Sequence, residues 1–593
     1  MSQSPWLDPR GFRFAVLLAV AAACANGIWI LLDNSVPSWD QSYYLSVTLT
    51  YRDALEGGGA TELLRSIHST DPSHAPLFTV LMLPFVYVFG PGPRSGLLLN
   101  FLLAPALYLA AGQIAWLVFR NWIARLLAIG LVATMPLLVG LNHNVLQDFL
   151  LVTLTTVSLF LLLRTEGFSR GWISVAMGLA MGLGSLTKVT FPLFIVGPLL
   201  VIFVQVAFLR ARAQREEQQP LLPARTLARN LAGAALAYAI VTVPWYGPNL
   251  SPTLDYVSST TSGPLALGAG PTDPYTFTAI ASFTLGVING NVSWIILIAG
   301  AIALVLCVTR LRSLLSRPLQ PNPLFGLGFL CAWALVPYLS VGFAHNQDVR
   351  LMAPAMPAVA ILVAGAMSAV PRPRARMALT AIVGTLLAYQ TLNHTTPVTP
   401  SFLPDRIIAG TDSYWAVAIL NSDPIGYEQL PGEDYGTPVI EYIKDVAKVD
   451  TEPERNRSVC MLQSEPVVNS PTFRYLAQAH EQPFVFVDLI VEPGRSAGLR
   501  EQLAGCEFAL YVKQPAPDPT TAAGRLKLVN ATFAASFMTP RLVALFDGPR
   551  RSFQVAEPAG DTGRAKYLSH AGRGVRLWVL SRRQALAPGN PPD

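Results

Sequence analysis

The chain has 593 residues, of which 52% are hydrophobic and only 13% charged, and its mean hydropathy is +0.42. Ordinary soluble proteins carry about 25% charged residues, so this chain cannot cover itself with a water-facing surface and must use lipid as part of its solvent. A purely cytosolic enzyme, a disordered scaffold and a secreted disulfide-rich module are excluded. The net charge of +6 and the pI near 9.0 do not signal nucleic acid, because the basic residues sit in short clusters between apolar runs and not in one patch with interleaved aromatics.

A membrane-spanning helix needs about 20 mostly apolar residues. The first such run, 14–32, follows Arg10 and Arg13. Ala23-Cys24-Ala25 has the look of a signal-peptidase site, but the apolar run continues to Leu32, which predicts a retained helix. Ten more spans are expected at 95–119, 123–141, 149–163, 172–186, 190–209, 231–245, 292–309, 324–343, 352–370 and 378–392. The segment 76–90 is apolar but short and carries Pro76 and Pro84, so it reads as a juxtamembrane or re-entrant helix.

Positive charge between spans reports orientation. With eleven spans and the N-terminus in the cytoplasm, the clusters Arg120/Arg125, Arg164/Arg170, Arg210/Arg212/Arg215, Arg225/Arg229, Arg310/Arg312/Arg317 and Arg372/Arg374/Arg376 all fall inside. The connection 247–290, which contains no Lys or Arg, falls outside. If 76–90 crossed, every cluster after it would lie on the wrong side. Only six of the 42 Lys and Arg residues are lysines, a bias that points to a GC-rich bacterial genome and so to a multi-pass protein of the bacterial inner (plasma) membrane.

The chain divides into a transmembrane domain, 1–392, and a tail, 393–593, in which charges, prolines and short alternating apolar runs replace the long spans. Strands are expected at 457–463, 483–488 and 507–513, with helices near 472–479 and 497–504, which makes a small α/β domain on the outer side. Five cysteines show no metal-type spacing. Cys460 and Cys506, on or beside two of the strands, suit a disulfide in an oxidising compartment or two buried thiols.

Charges at membrane depth are costly and so are functional candidates. Asp40, His74, Asp148, Lys188, His345, Asp348 and Arg350 all fall at outer ends of spans or in outer loops. Asp40, flanked by Trp39, Gln41, Tyr43 and Tyr44, suits a general base beside rings that stack on a sugar, or simply a helix cap. Asp148 suits a metal ligand, an acceptor-orienting group or another cap. Lys188 is the only lysine of the membrane half, and its reading is divided between an anionic ligand such as a phosphate and snorkelling to the interface. Arg350 suits a bidentate phosphate contact or a surface pair with Asp348. His74 opens the re-entrant helix toward the same anion, while Gly178 and Gly182 read as close helix packing. Asn249, Asn291, Asn393 and Asn530 head formal sequons, which are weak three-residue matches.

Taken in order, these motifs resemble the polytopic GT-C glycosyltransferases that use polyprenyl-phosphate-linked sugars, the superfamily of protein O-mannosyltransferases and lipid A aminoarabinose transferases. The resemblance rests on Asp40-Gln41-Ser42-Tyr43-Tyr44, His74-Ala75-Pro76-Leu77, Asp148, Leu186-Thr187-Lys188, Pro244-Trp245-Tyr246 with Asn249, and Arg350 with Pro354 and Pro357. It covers about Arg10 to Ala369. Gln41 stands where the family has Glu, Ala75 where it has Pro, and Leu351 where it has Tyr. The resemblance implies an inverting transferase that moves a sugar from a polyprenyl-phosphate carrier to a hydroxyl of an acceptor glycan, lipid or protein on the outer face. Asp40 would be the base, and Lys188, Arg350 and His74 would hold the donor phosphate. Asp148 and Gln41 would serve the acceptor or a divalent metal, Mg²⁺ or Mn²⁺, at Asp148, with Trp39, Tyr43 and Tyr44 stacking on the sugar.

Two other classes compete. A transporter or flippase of a lipid-linked or anionic substrate would also place charges at the outer ends of spans, although its usual paired repeats with broken helices are not visible here. A non-catalytic cell-envelope assembly protein would use the tail to bind a partner.

Overall fold

The computed structural model describes residues 9–395 apart from 34–35, 216–222, 264–270, 272 and 316–320. In the tail it describes 407–409, 417–419, 440, 444, 457–461, 469–488, 508–513, 553–555, 567–570 and 573–582. Two compact units emerge, one comprising Met1–Leu32, Tyr51–Phe85 and Arg94–Leu430, the other Asp33–Thr50, Val86–Pro93 and Pro431–Asp593.

The first unit is a helical bundle. Its helices are α1 (Pro9–Leu32), most of α2 (Asp40–Ser69), the first part of α3 (Leu77–Phe89), α4 (Arg94–Phe119), α5 (Trp122–Thr134), α6 (Pro136–Asn142), α7 (Gln147–Arg164) and α8 (Gly171–Ser185). They continue with α9 (Phe191–Arg215), α10 (Ala224–Thr261), α11 (Phe277–Gly286), α12 (Trp294–Leu315), α13 (Pro321–Gly342), α14 (Met356–Ala369) and α15 (Pro373–Thr395). A π-helical turn, Val287–Val292, precedes α12, and a 3₁₀ turn, Val349–Ala355, precedes α14. A two-stranded pair, β1 (Ile407–Ala409) and β2 (Val417–Ile419), follows.

Among the described residues seven helices are long and apolar enough to cross a membrane, and nine if each of two bent pairs is one span. The bent pairs are α5 with α6, turned by 61°, and α11 plus the π turn with α12, turned by 95°. Each of the eleven expected spans is helical, the other two being α8, which has only 15 residues, and α15. The protein is a multi-pass membrane helical bundle.

Hydrogen bonds sort the described helix termini into two sets, as alternating spans require. At one end, Asn100 at the start of α4 donates to the carbonyls of Leu141, Asn142 and Asn144. There, too, Leu77 N donates to Leu186 O at 3.0 Å, and Asn291 reaches Val349 O at 2.7 Å. At the other end, Asn121 and Arg376 both reach Ser368 O, and Asn230 donates to Phe168 O at 2.8 Å. The segment that threatened the topology is resolved by the same sorting. Leu77 at the start of α3 bonds to Leu186, Met82 lies against Gly96, and Phe85 O accepts from Ser95 Oγ at 3.3 Å. Both ends of this stretch touch the same end of the bundle, so α3 does not cross.

Most buried polar side chains are hydrogen-bonded. Asn26 donates to Tyr108 OH and the Ala133 carbonyl, tying α1 to α4 and α5. Arg125, expected as a surface orientation charge, is instead 1% exposed and lies 4.4 Å over the Trp116 ring, a cation–π contact that offsets part of its desolvation. Gly178 and Gly182 are packing residues as expected. A Cβ at Gly178 would strike the Ala234 carbonyl, and one at Gly182 would come within 2.8 Å of Val241 Cβ, so α8 and α10 approach backbone to backbone.

In the second unit β3 (Arg457–Met461) pairs in parallel with β4 (Phe484–Asp488) and β5 (Phe508–Lys513). The sheet continues antiparallel through β8 (Arg573–Arg582) to β6 (Phe553–Val555), with β7 (Tyr567–His570) also on β8. The helix α16 (Ser470–Ala479) connects β3 to β4 and buries Phe473 against Phe486. These three parallel strands and α16 match the expected elements, whereas the helix expected near 497–504 lies outside the described residues. Cys460 is disulfide-bonded, and Cys24, Cys307 and Cys331 are free. Cys506 lies outside the described residues.

Candidate active site

The break between α6 and α7 places Asp148 in the first turn of α7, where the helix dipole favours a carboxylate. It is not the cap: Leu146 occupies that position and supplies no side-chain hydrogen bond. Instead, Asp148 Oδ1 accepts from Lys188 Nζ at 2.8 Å. The Asp148 side chain is 3% exposed and that of Lys188 17%. Lys188 therefore does not snorkel away. It turns into the bundle from the loop after α8 and is held by a carboxylate 40 residues earlier. The Arg350 guanidinium, on the 3₁₀ turn packed against α7, acts electrostatically on the same carboxylate. Its other partner is Asp348, whose Oδ1 accepts from Arg350 N at 2.8 Å and whose Oδ2 lies 3.5 Å from Nε. The structure thus brings Asp148, Lys188 and Arg350 into one neighbourhood, Lys188 bonded to the carboxylate and Arg350 within electrostatic range of it.

Residues to which the sequence reading gave no role at the site hold this cluster in place. Asn100 clamps the carbonyls just before Asp148, its shortest bond being 2.8 Å to Asn144 O, and Trp29 stacks on His143 with centroids 4.6 Å apart and planes 3° from parallel. Tyr246 OH donates to Ser185 O at 2.6 Å, fixing the end of α8 that leads to Lys188. Asn291, fully buried on the π turn, donates to Val349 O immediately before Arg350, while Trp333 Nε1 donates to Pro354 O at 2.8 Å at the far side of the 3₁₀ turn. The one available signal was the polar residue itself: an Asn or Trp beside an outer-end charge in an otherwise apolar run. Asn249 and Asn291, formal sequons, are both buried with their amides engaged.

His74 lies in the loop before α3. Its Nδ1 is 3.0 Å from Asp71, and its ring packs at 4.3 Å on Tyr256 of α10. Asp71 also accepts from the backbone N–H groups of Ser73 and His74, an Asx turn that presets the imidazole. The Trp245 and Asn249 side chains of the Pro-Trp-Tyr element hold the last turn of α2, which leads into this loop, reaching Ile67 O and His68 Nδ1. The element is thus a bracket that positions the loop and the end of α8. His345 lies elsewhere in the outer loops, with Nδ1 3.4 Å from Pro271 O.

Asp40, Gln41, Trp39, Tyr43 and Tyr44 belong to the second unit. Asp40 is the first residue of α2 and half-buried, and Trp39 before it has φ of 49°. A bulky residue in the left-handed region is strained by about 1–3 kcal/mol and persists only where its surroundings over-determine it. Gln41 N and Tyr43 N close the turn onto Ser38 O and Trp39 O. Tyr44 is buried, and Tyr43 meets it edge-on at 5.7 Å.

A divalent metal at Asp148 does not fit this arrangement. The carboxylate already accepts from Lys188 and faces a second cation, and no group of three acidic, His or Cys side chains converges among the described residues.

No family model matches the chain, and no curated protein matches it. Among solved structures, ArnT from Cupriavidus metallidurans in the apo state matches with a TM-score of 0.52 at 15% identity, over 97% of this chain and 99% of that one. The chain has the GT-C fold. The same ArnT bound to undecaprenyl phosphate gives a TM-score of 0.49 at 15% identity with the same coverage. The Archaeoglobus fulgidus oligosaccharyltransferase in complex with zinc and sulfate gives 0.44 at 13% identity, over 84% of this chain and 67% of that one.

Proposed function

We propose that this protein is an inverting glycosyltransferase that moves a sugar from a polyprenyl-phosphate carrier to a hydroxyl acceptor at the outer face of a bacterial plasma membrane. The observation that carries the proposal is the Asp148–Lys188 pair with Arg350 beside it, two cations gathered at one end of an apolar bundle. Each cation has a carboxylate partner, Asp148 for Lys188 and Asp348 for Arg350, and an anion that reaches this depth from the membrane can take the place of a carboxylate on both. A lipid phosphate has that chemistry. The GT-C fold, shared with a protein crystallised with undecaprenyl phosphate, supports the same reading.

In this mechanism the carrier phosphate binds Lys188 and Arg350, with His74 at the edge of the site. Asp148 keeps Lys188 oriented and charge-balanced while the site is empty. Asp40 takes the proton from the acceptor hydroxyl, whose oxygen forms a bond to the anomeric carbon as the bond from that carbon to the phosphate oxygen breaks. The polyprenyl phosphate departs with its added charge on the two cations, and a single displacement inverts the anomeric centre. Two features support the orientation with the N-terminus in the cytoplasm and the α/β domain of the tail outside. Arg164 ends α7, whose first turn holds Asp148, so the two lie at opposite ends of that helix, and the disulfide at Cys460 suits an oxidising compartment.

The test is purified protein in nanodiscs, supplied with radiolabelled undecaprenyl-phosphate sugars and a membrane extract as acceptor. Label should move from the chloroform-soluble donor to acceptor in the wild type and not in Lys188→Met or Arg350→Gln, and both variants should lose undecaprenyl-phosphate binding. Unaltered binding by both variants would remove the phosphate site.

A further inference from the structure

The Asp40 turn is built partly from the tail. We infer that α16 of the C-terminal domain is a positioning element for Asp40, with Asn469 and Thr472 as the positioning residues. The inference rests on Asp40 being the base in the reading above.

Three side chains of the second unit meet at this turn, all of them buried: Ser42, Asn469 and Thr472. Asn469 caps α16 by accepting from Thr472 N at 3.0 Å, and its amide donates to Ser38 Oγ at 3.2 Å. Thr472 Oγ1 lies 3.2 Å from the Pro37 carbonyl and 3.4 Å from Ser42 Oγ, which also bonds to Pro37 O. Pro37, Ser38 and Ser42 bracket Asp40 on both sides. Further along, Gln478 Nε2 reaches Thr50 Oγ1 at 3.4 Å, and Tyr475 OH donates to Pro91 O at 2.9 Å.

Such a network is expensive to bury unless each member is satisfied, and here it surrounds the strained turn at Trp39. An exposed helix start needs no such brace. A carboxylate that must meet a hydroxyl proton within hydrogen-bond reach does, because a displacement of about 1 Å can cost on the order of a hundredfold in rate. The physical consequence is that residues more than 420 positions away in sequence set the aim of Asp40 without touching substrate.

The experiment compares Thr472→Val, Thr472→Ser, Asn469→Asp and Asp40→Asn in the full-length protein in nanodiscs. Asn469→Asp keeps the cap acceptor and loses only the amide that donates to Ser38. For Thr472→Val and Asn469→Asp we expect kcat to fall roughly ten- to a hundredfold, with donor KM, undecaprenyl-phosphate affinity and thermal midpoint near wild type. Thr472→Ser, which restores the hydroxyl, should recover most of the rate. Wild-type kcat in both Thr472→Val and Asn469→Asp, alongside an inactive Asp40→Asn, overturns the positioning role and leaves the base intact. If Asp40→Asn itself transfers at the wild-type rate, the base assignment fails first. If Thr472→Val lowers the thermal midpoint, the comparison rests on Asn469→Asp and on rescue by Ser.

Discussion

Removing one partner of the Asp148–Lys188 pair is the sharpest perturbation available. At 2.8 Å and an effective dielectric of about 20, two unit charges attract by about 6 kcal/mol. Exposed pairs keep only about 0–1 kcal/mol of such attraction, but Asp148 is 3% exposed, so deletion of one partner strands a charge in a poorly solvated place. The expected cost is about 3–5 kcal/mol for Asp148→Asn or Lys188→Met alone, and much less for the double variant, because replacing both charges leaves nothing uncompensated. Unfolding in mixed micelles, followed by tryptophan fluorescence, gives the double-mutant cycle. The two single variants should then part company with ligand. Undecaprenyl phosphate should restore stability to Asp148→Asn more than it stabilises the wild type, since the phosphate replaces the missing counter-ion, and should do nothing for Lys188→Met. Equal stability in the wild type and both single variants would refute a buried pair, and equal stabilisation of Lys188→Met by the lipid would refute its role at the phosphate.

Four further outcomes follow from the geometry. Asn291→Ala, which frees the Val349 carbonyl, should cost about 1–2 kcal/mol of stability and weaken undecaprenyl-phosphate binding through Arg350, as measured by titration in nanodiscs. Asn100→Leu removes the buried amide that ties α4 to the Leu141, Asn142 and Asn144 carbonyls before Asp148 and should cost about 1–3 kcal/mol in the same unfolding assay. Gly178→Val forces α8 from the Ala234 carbonyl, and a loss of about 1–3 kcal/mol is expected; a neutral result would show that the helices do not touch there. In a variant with Cys24, Cys307 and Cys331 replaced by Ser, maleimide should label Cys460 only after reduction, and labelling before reduction would show a free thiol.

The sequence by itself determined the solvent of this protein and where its apolar helices lie along the chain. Those depend on apolar length and on where arginines interrupt it, quantities that are local along the chain. It also singled out Asp148, Lys188 and Arg350, because a charge in an apolar setting is conspicuous before any fold is known. It also read 76–90 as a juxtamembrane or re-entrant helix, since the run is short, carries Pro76 and Pro84, and would put the later arginine clusters on the wrong side if it crossed. Contacts of Leu77, Met82 and Phe85 with one end of the bundle agree with that reading. The tertiary structure alone paired Lys188 with Asp148, buried Arg125 over Trp116, and turned Asn100, Asn291 and the Pro-Trp-Tyr element into brackets for charged loops. It also joined the Asp40 turn to Asn469 and Thr472, which no spacing rule could reach. The physical reason is the same in each case: burial cost is written into a single residue, whereas the partner that offsets it is chosen by packing between segments far apart in the chain.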